Sequence, residues 1–182
     1  MLKSQVAILS ISAVAILSSC VGLPERAVEP EAQAVERPGA PLRTGNDLAR
    51  GRRWELDWGA VSVYDAATNR PIRRVALEGA SLAHARGACR PDMLLDRTGA
   101  LLVSSNSQPV LWRVSPERFE VERFEIRLDD ERGRDVGFGG LAWSADGWTL
   151  YALDASTRTQ WRIDLSSLRA VRVDAAGVSQ AC

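Results

Sequence analysis

Between residues 54 and 175 the apolar positions recur at every second residue in short runs. Val61 and Val63 form one such run, and Val110, Trp112 and Val114 another. Period two places successive side chains on opposite faces of a strand, whereas a helix would need apolar residues every three to four positions. Thr98-Gly99 and Asp146-Gly147 interrupt any helical stripe and read as turns. The pattern also repeats. Val61 to Val75 holds two alternating segments around a turn rich in Asp, Thr, Asn and Pro; Met93 to Ile126 and Leu141 to Val173 are longer versions. Gly99 and Gly147 are 48 apart, Trp112 and Trp161 are 49 apart, and Asp65, Ser115 and Asp164 take matching turn positions spaced 50 and 49. Each full unit reads as an apolar strand, a turn closing in Gly, a second strand, a polar loop and a hairpin. The chain is therefore expected to be all-β, built of four-stranded antiparallel units of nearly fifty residues.

Units of that length and strand number match β-propeller blades. VSVYDAATNRPIRRVALEG, from Val61, and LAWSADGWTLYALDASTRTQWRIDLSSL, from Leu141, resemble the YVTN and NHL-type propeller repeats, and the third unit also resembles the tryptophan-containing repeat of quinoprotein propellers. In that resemblance Leu102 to Asn106 and Tyr151 to Asp154 stand where the family's central strand lies. It covers residues 54 to 175 and implies a partial β-propeller of about three blades, while such folds serve enzymes, scaffolds and binding modules alike. The count departs from the family, because propellers usually have four to eight blades. Two units are complete, and the first has Arg53–Trp58 as a further strand but no innermost one. The sheets would then stack as an open fragment, or copies of the chain or another protein would complete a ring. Apolar faces on the terminal blades would form an interface, or the tail Val173 to Cys182, pinned through Cys89, would cover one of them.

The first fifty residues follow a different pattern. Lys3 precedes an apolar run from Val6 to Leu17, too short to span a bilayer and of the length of a secretory signal. Leu17-Ser18-Ser19-Cys20 follows and resembles the bacterial lipobox, which implies a signal peptide over residues 1–19 and lipidation of Cys20. Val21 stands where the enteric sorting pattern would need Asp for inner-membrane retention, so the expected location is the outer membrane, facing the periplasm. Residues 20–51 carry Pro24, Pro30, Pro38 and Pro41 among Glu and Arg, without an aromatic residue from position 21 to 50, and read as a flexible linker. All six tryptophans come later, which places the folded domain at 52–182. With Cys20 assigned to lipid, Cys89 and Cys182 are expected to form a disulfide in an oxidising compartment.

Composition narrows the partners. Lys and Arg total 23 against 23 Asp and Glu, which leaves no net field for a nucleic-acid backbone. One histidine and three cysteines give no zinc-like spacing, and neither a metal nor a cofactor is expected. His84 lies in a loop with no visible orienting partner. Ser104 and Ser105 lack the Gly-x-Ser-x-Gly setting. The acids between Asp129 and Asp135 are interrupted by Arg132 and Arg134, without calcium-loop spacing. Gly137-Phe138-Gly139-Gly140 precedes a strand and so presents no helix N-terminus to a phosphate. Trp112 and Trp161 recur at one repeat position, which argues packing. Asn106, Gln108 and Asp154, near strand ends, would line a propeller mouth and are candidate ligand-binding residues together with Trp148; Trp148 and Trp58 are the tryptophans expected to be exposed. The leading expectation is an envelope lipoprotein, anchored to the membrane by lipid, that acts without catalysis as a protein-interaction or ligand-binding module, with an envelope protein or a second copy as partner. The alternative is a propeller-type enzyme or sensor, lactonase-like, that binds a small ligand or metal at the strand ends.

Overall fold

In the computed structural model, residues 39–80, 89–129 and 136–173 are described, and nearly all their regular structure is β. The first sheet is a meander of β1 (Arg43–Asp47), β2 (Arg52–Asp57), β3 (Ala60–Asp65) and β4 (Pro71–Ala76). The second is β5 (Met93–Leu95), β6 (Leu101–Ser104), β7 (Val110–Val114) and β8 (Val121–Glu125). The third runs β10 (Phe138–Trp143), β11 (Leu150–Asp154), β12 (Gln160–Asp164) and β13 (Arg169–Val173). A two-residue strand, β9 (Arg127–Leu128), lies parallel to β13 and closes that sheet's outer edge. All other pairings are antiparallel. The only helical element among the described residues is a 3-10 turn at Leu48–Arg50, and no described helix is long and apolar enough to cross a membrane.

The expectation of one incomplete unit is corrected by β1. Arg43-Thr44-Gly45-Asn46-Asp47 falls within the stretch read as linker, yet it pairs residue by residue with β2, and Leu42 just before it is buried. Its polar composition shows no alternation, and it is held by backbone pairing with β2 and by side-chain bonds such as that of Arg43 rather than by an apolar face. Gly51, after the 3-10 turn, completes a series with Gly99 and Gly147 at intervals of 48. All three adopt the left-handed backbone that closes the first hairpin of each sheet.

The sheets stack face on face through two apolar layers. Trp54, Leu56, Val61 and Val63 of the first sheet meet Leu101, Val103, Trp112 and Val114 of the second. The opposite face of the second sheet offers Leu102 and Leu111 to Leu141, Leu150, Trp161 and Ile163 of the third. The middle sheet is thus apolar on both faces, as its near-continuous burial over Leu101–Ser104 requires. The outer face of the first sheet is polar. Alternation turns Arg53, Glu55, Ser62 and Tyr64 away from the core. Arg53 pairs with Glu55 at 2.9 Å and stacks 4.9 Å over Tyr64, and Arg74 pairs with Asp57 at 3.1 Å. The expectation that both terminal faces are apolar therefore fails for this sheet, which carries the polar outer surface of a capping repeat.

Candidate functional site at the connection end

Every sheet starts its inner strand (β1, β5, β10) at the same end of the stack, where the β2/β3, β6/β7 and β11/β12 loops also lie. We call this the connection end and the other the hairpin end. The hairpin end is joined by arginines acting one repeat apart. Arg50 Nη2 donates to the Thr98 carbonyl at 3.1 Å, and Arg97 Nη1 to the Asp146 carbonyl at 3.3 Å.

At the connection end one carboxylate ties the three sheets together. Asp92, just before β5, accepts from Arg43 Nε of β1 at 3.2 Å and from the Met93 amide at 2.9 Å through Oδ1. Its Oδ2 accepts from the Leu141 amide of β10 at 2.9 Å. The Asp92 amide donates to Ser104 Oγ at 2.9 Å, and the Ser104 amide returns a bond to the Asp92 carbonyl at 2.9 Å. Arg43, Asp92 and Leu141 stand at intervals of 49, so each sheet contributes its equivalent residue. The side chains of Arg43 and Asp92 are 27% and 13% exposed, which places a charged pair in a largely desolvated but not sealed position.

The loops around this pair are closely packed. The Phe138 amide donates to the Ser105 carbonyl at 2.6 Å, Ala155 to the Gly137 carbonyl at 2.7 Å, and Cys89 to the Ala155 carbonyl at 2.9 Å. A Cβ on Gly137 would sit 2.1 Å from the backbone carbon of Asn106, so only glycine allows the two loops to approach. Gly137-Phe138-Gly139-Gly140 does not precede the strand as expected: Phe138, Gly139 and Gly140 form the start of β10 itself, with a register shift between Phe138 and Gly140.

The residues assigned to a ligand from sequence reach different ends. Asn106 and Asp154 lie at the connection end, at the tips of β6 and β11, but both are buried and bonded within the protein. Asn106 Nδ2 donates to the Cys89 carbonyl at 2.9 Å. Asp154 Oδ1 accepts from the Ser156 amide and hydroxyl, both at 2.7 Å, and from the Thr157 amide at 2.9 Å, which fixes its turn. Gln108 is half-buried in the β6/β7 loop. Trp148 is 77% exposed but belongs to the hairpin end, 4.4 Å from the Arg97 guanidinium. Trp58, 40% exposed in the β2/β3 turn, is the exposed tryptophan at the connection end. Trp112 and Trp161 are buried in the two apolar layers. Ser104 and Ser105 are fully buried. His84, Cys20 and Cys182 lie outside the described residues, as do residues 130–135. Cys89 is buried and disulfide-bonded. Among the described residues no group of three or more His, Cys, Asp or Glu side chains could hold a metal ion.

Arg43 and Asp92 escaped the sequence reading. Asp92 follows Arg90-Pro91 without any motif, and Arg43 lay in the presumed linker. The 49-residue interval that links them with Leu141 is the signal that could have found them.

The same turn chemistry governs the protein's acid response. Asp164 is held down at about 2, first by the Ser166 hydroxyl, then by the Ser167 hydroxyl and the Ser166 amide. Asp65 is also lowered, chiefly by the Thr68 hydroxyl, and Asp146 chiefly by Ser144. A carboxylate whose folded pKa lies below its unfolded value stabilises the fold fully above the unfolded pKa and loses that contribution as pH falls toward the folded one. Thermal unfolding followed by circular dichroism should therefore give a melting temperature nearly flat from pH 7 to about 5, falling steadily from about pH 4 to 2. A Ser166→Ala variant should move the lower part of that fall to higher pH.

No family model and no curated protein matches the sequence. Among solved structures, the chain is similar to the dihydro-heme d1 dehydrogenase NirN at 17% identity and a TM-score of 0.49, over 76% of this chain and 29% of that one. A luciferin-regenerating enzyme matches at 19% identity and a TM-score of 0.42, over 70% and 43% of the two chains. The allergen Mala s 1 of Malassezia sympodialis matches at 17% identity and a TM-score of 0.37, over 77% and 66%. The chain thus spans less than half the length of the first two. Two of these three neighbours are described as enzymes, and the expectation of a non-catalytic module, with its assignment as a non-enzyme, is corrected on that finding.

Proposed function

We propose that this chain is a partial β-propeller of three blades, of the enzyme or sensor type, that binds a small polar ligand at the connection end of its inner strands. The observation that carries the reading is the Arg43–Asp92 pair, set where β1 and β5 begin, bonded to Leu141 of β10 and partly exposed. The guanidinium is held by Asp92 through Nε and by the Leu42 carbonyl through Nη1 at 3.2 Å, and its planar donor fork suits a carboxylate, phosphate or carbonyl oxygen on the ligand. Asp92 already accepts three hydrogen bonds and serves to orient Arg43 rather than to move protons. Gln108 and Trp58, on loops of the same end, offer an amide and an aromatic face.

The test is a thermal-shift panel of small carboxylates, lactones and phosphate esters, run with and without divalent cations on the wild type and on Arg43→Ala. At least one compound should raise the wild-type melting temperature and bind Arg43→Ala at least tenfold more weakly, each tenfold being about 1.4 kcal/mol. A panel without stabilising compounds, or one whose binders ignore the substitution, overturns the reading.

The proposal extends to placement. Leu17-Ser18-Ser19-Cys20 supports lipidation of Cys20 and an outer-membrane anchor facing the periplasm. The disulfide at Cys89 supports an oxidising compartment, with Cys182 as its proposed partner.

A further inference from the structure

The three sheets differ at their outer edges. β13 is covered by the parallel strand β9. β8 has no strand on its outer side among the described residues and is balanced in charge, with Arg123 paired to Glu125 and Glu122 facing Arg113. β4 is basic and has no strand on its outer side among the described residues. Its sequence Pro71-Ile72-Arg73-Arg74-Val75-Ala76 follows Arg70 and contains no acid, and every residue but Val75 is exposed, Ile72 at 44%. Arg74 reaches back to Asp57 and to Ser62, whereas Arg73 makes no ion pair among the described residues. The two arginines also sit on opposite faces. Arg73 pairs in register with Val63, whose side chain enters the core layer, and Arg74 with Ser62 on the outer face.

We infer that β4 is a docking edge for an extended acidic peptide segment of a partner protein, which adds to the first sheet as a fifth strand, as β9 adds to the third. Strand addition takes its affinity from main-chain hydrogen bonds and its specificity from alternate side chains. A strand laid along β4 sets consecutive side chains on opposite faces, one beside Arg73 and the next beside Arg74. The fitting sequence is therefore two adjacent acids flanked by apolar residues, one of which covers Ile72. Charged side chains on an edge strand ordinarily prevent pairing between like edges, and an edge bearing only arginine repels its own copy while admitting an acidic strand. The inference stands on β4 alone and is independent of the ligand proposed for the connection end.

The test uses the purified full chain and two fluorescein-labelled probes, Val-Glu-Glu-Val-Thr-Val and Val-Lys-Lys-Val-Thr-Val, followed by fluorescence anisotropy at low salt. The acidic probe should bind at least tenfold tighter than the basic one, and Arg73→Glu should weaken it at least tenfold. Because Arg73 is exposed, this variant should fold, as its circular dichroism spectrum would report. Hydrogen exchange should show added protection along β4 when the acidic probe is bound, which distinguishes strand pairing from loose charge attraction. Equal binding of the two probes, indifference to Arg73→Glu, or binding without added protection at β4 overturns the inference. So does a doubling of mass through β4 in the absence of peptide, which would make a second copy the occupant.

Discussion

Replacing Trp112 with alanine is expected to lower the stability of the fold by about 3–5 kcal/mol, the range for deleting a buried indole from a packed core. Trp112 is fully buried on the strand at the centre of the middle sheet. Its Nε1 donates to the Glu78 carbonyl at 3.1 Å, so the substitution also frees the link between the first and second sheets. Domains of this size are stable by about 5–15 kcal/mol, and such a loss would leave much of the protein unfolded near physiological temperature. The first and third sheets touch the middle one and not each other through the apolar layers. The loss should therefore appear as unfolding of the whole stack, because an array of this kind is held by nearest-neighbour interfaces. Urea denaturation followed by tryptophan fluorescence measures it. A midpoint within about 0.5 kcal/mol of wild type, the scatter of ordinary surface changes, would contradict the assignment of Trp112 to packing.

Removing the Asp92 carboxylate should cost about 2–4 kcal/mol. Asp92→Ala leaves the Leu141 amide without its acceptor and the Arg43 guanidinium without its counter-charge, and both penalties fall on groups already largely withdrawn from water. Asp92→Asn separates the two contributions. The amide oxygen can still accept from Leu141, so the join to the third sheet should survive in part, while the pairing with Arg43 is lost. The asparagine variant should therefore recover some stability but not the ligand binding that depends on Arg43. Denaturation midpoints and ligand dissociation constants for the two variants, measured side by side, give that split. Equal stability of Asp92→Ala and wild type would mean that the three sheets are not joined through this residue.

Much of the fold could be read from residue pattern because the repeat writes the same local physics three times. Val61 and Val63, or Val110, Trp112 and Val114, alternate because one face of each strand meets an apolar neighbour. Gly99 and Gly147 recur because each closes a hairpin through a left-handed residue. β1 was hidden for the opposite reason. Arg43-Thr44-Gly45-Asn46-Asp47 contributes backbone pairing and one arginine, neither of which leaves an apolar signature. The left-handed residues Asn69, Phe119, Arg158 and Leu168 show the same limit. Each lies four positions after Asp65, Ser115, Asp154 or Asp164, and the turn is set by the carboxylate or hydroxyl capping rather than by glycine, so residue type alone does not mark it. Phe119 tolerates that backbone while its ring packs 6.1 Å from Trp54.

The site was legible only as a region. Asn106 and Asp154 were placed correctly at strand ends, but the hydrogen bonds that occupy them depend on Cys89 and on turn geometry, which single residues do not announce. Asp92 works through three partners drawn from three sheets, a relation that becomes visible only when the 49-residue interval is applied to polar as well as apolar positions. Trp148 meets the expectation of exposure but lies at the hairpin end, away from the ligand site proposed above, because exposure alone does not say which end of a strand a turn occupies.

Trp58 and Trp148 mark the two ends of the molecule and allow the central claim to be tested directly. In a nitrogen-15 spectrum of the tryptophan indoles, each exposed tryptophan reports on its own end. Addition of a compound that raises the melting temperature should shift the Trp58 resonance, in the β2/β3 turn at the connection end, and leave Trp148 unmoved. A ligand that shifts Trp148 and not Trp58 would place binding at the hairpin end and contradict the account.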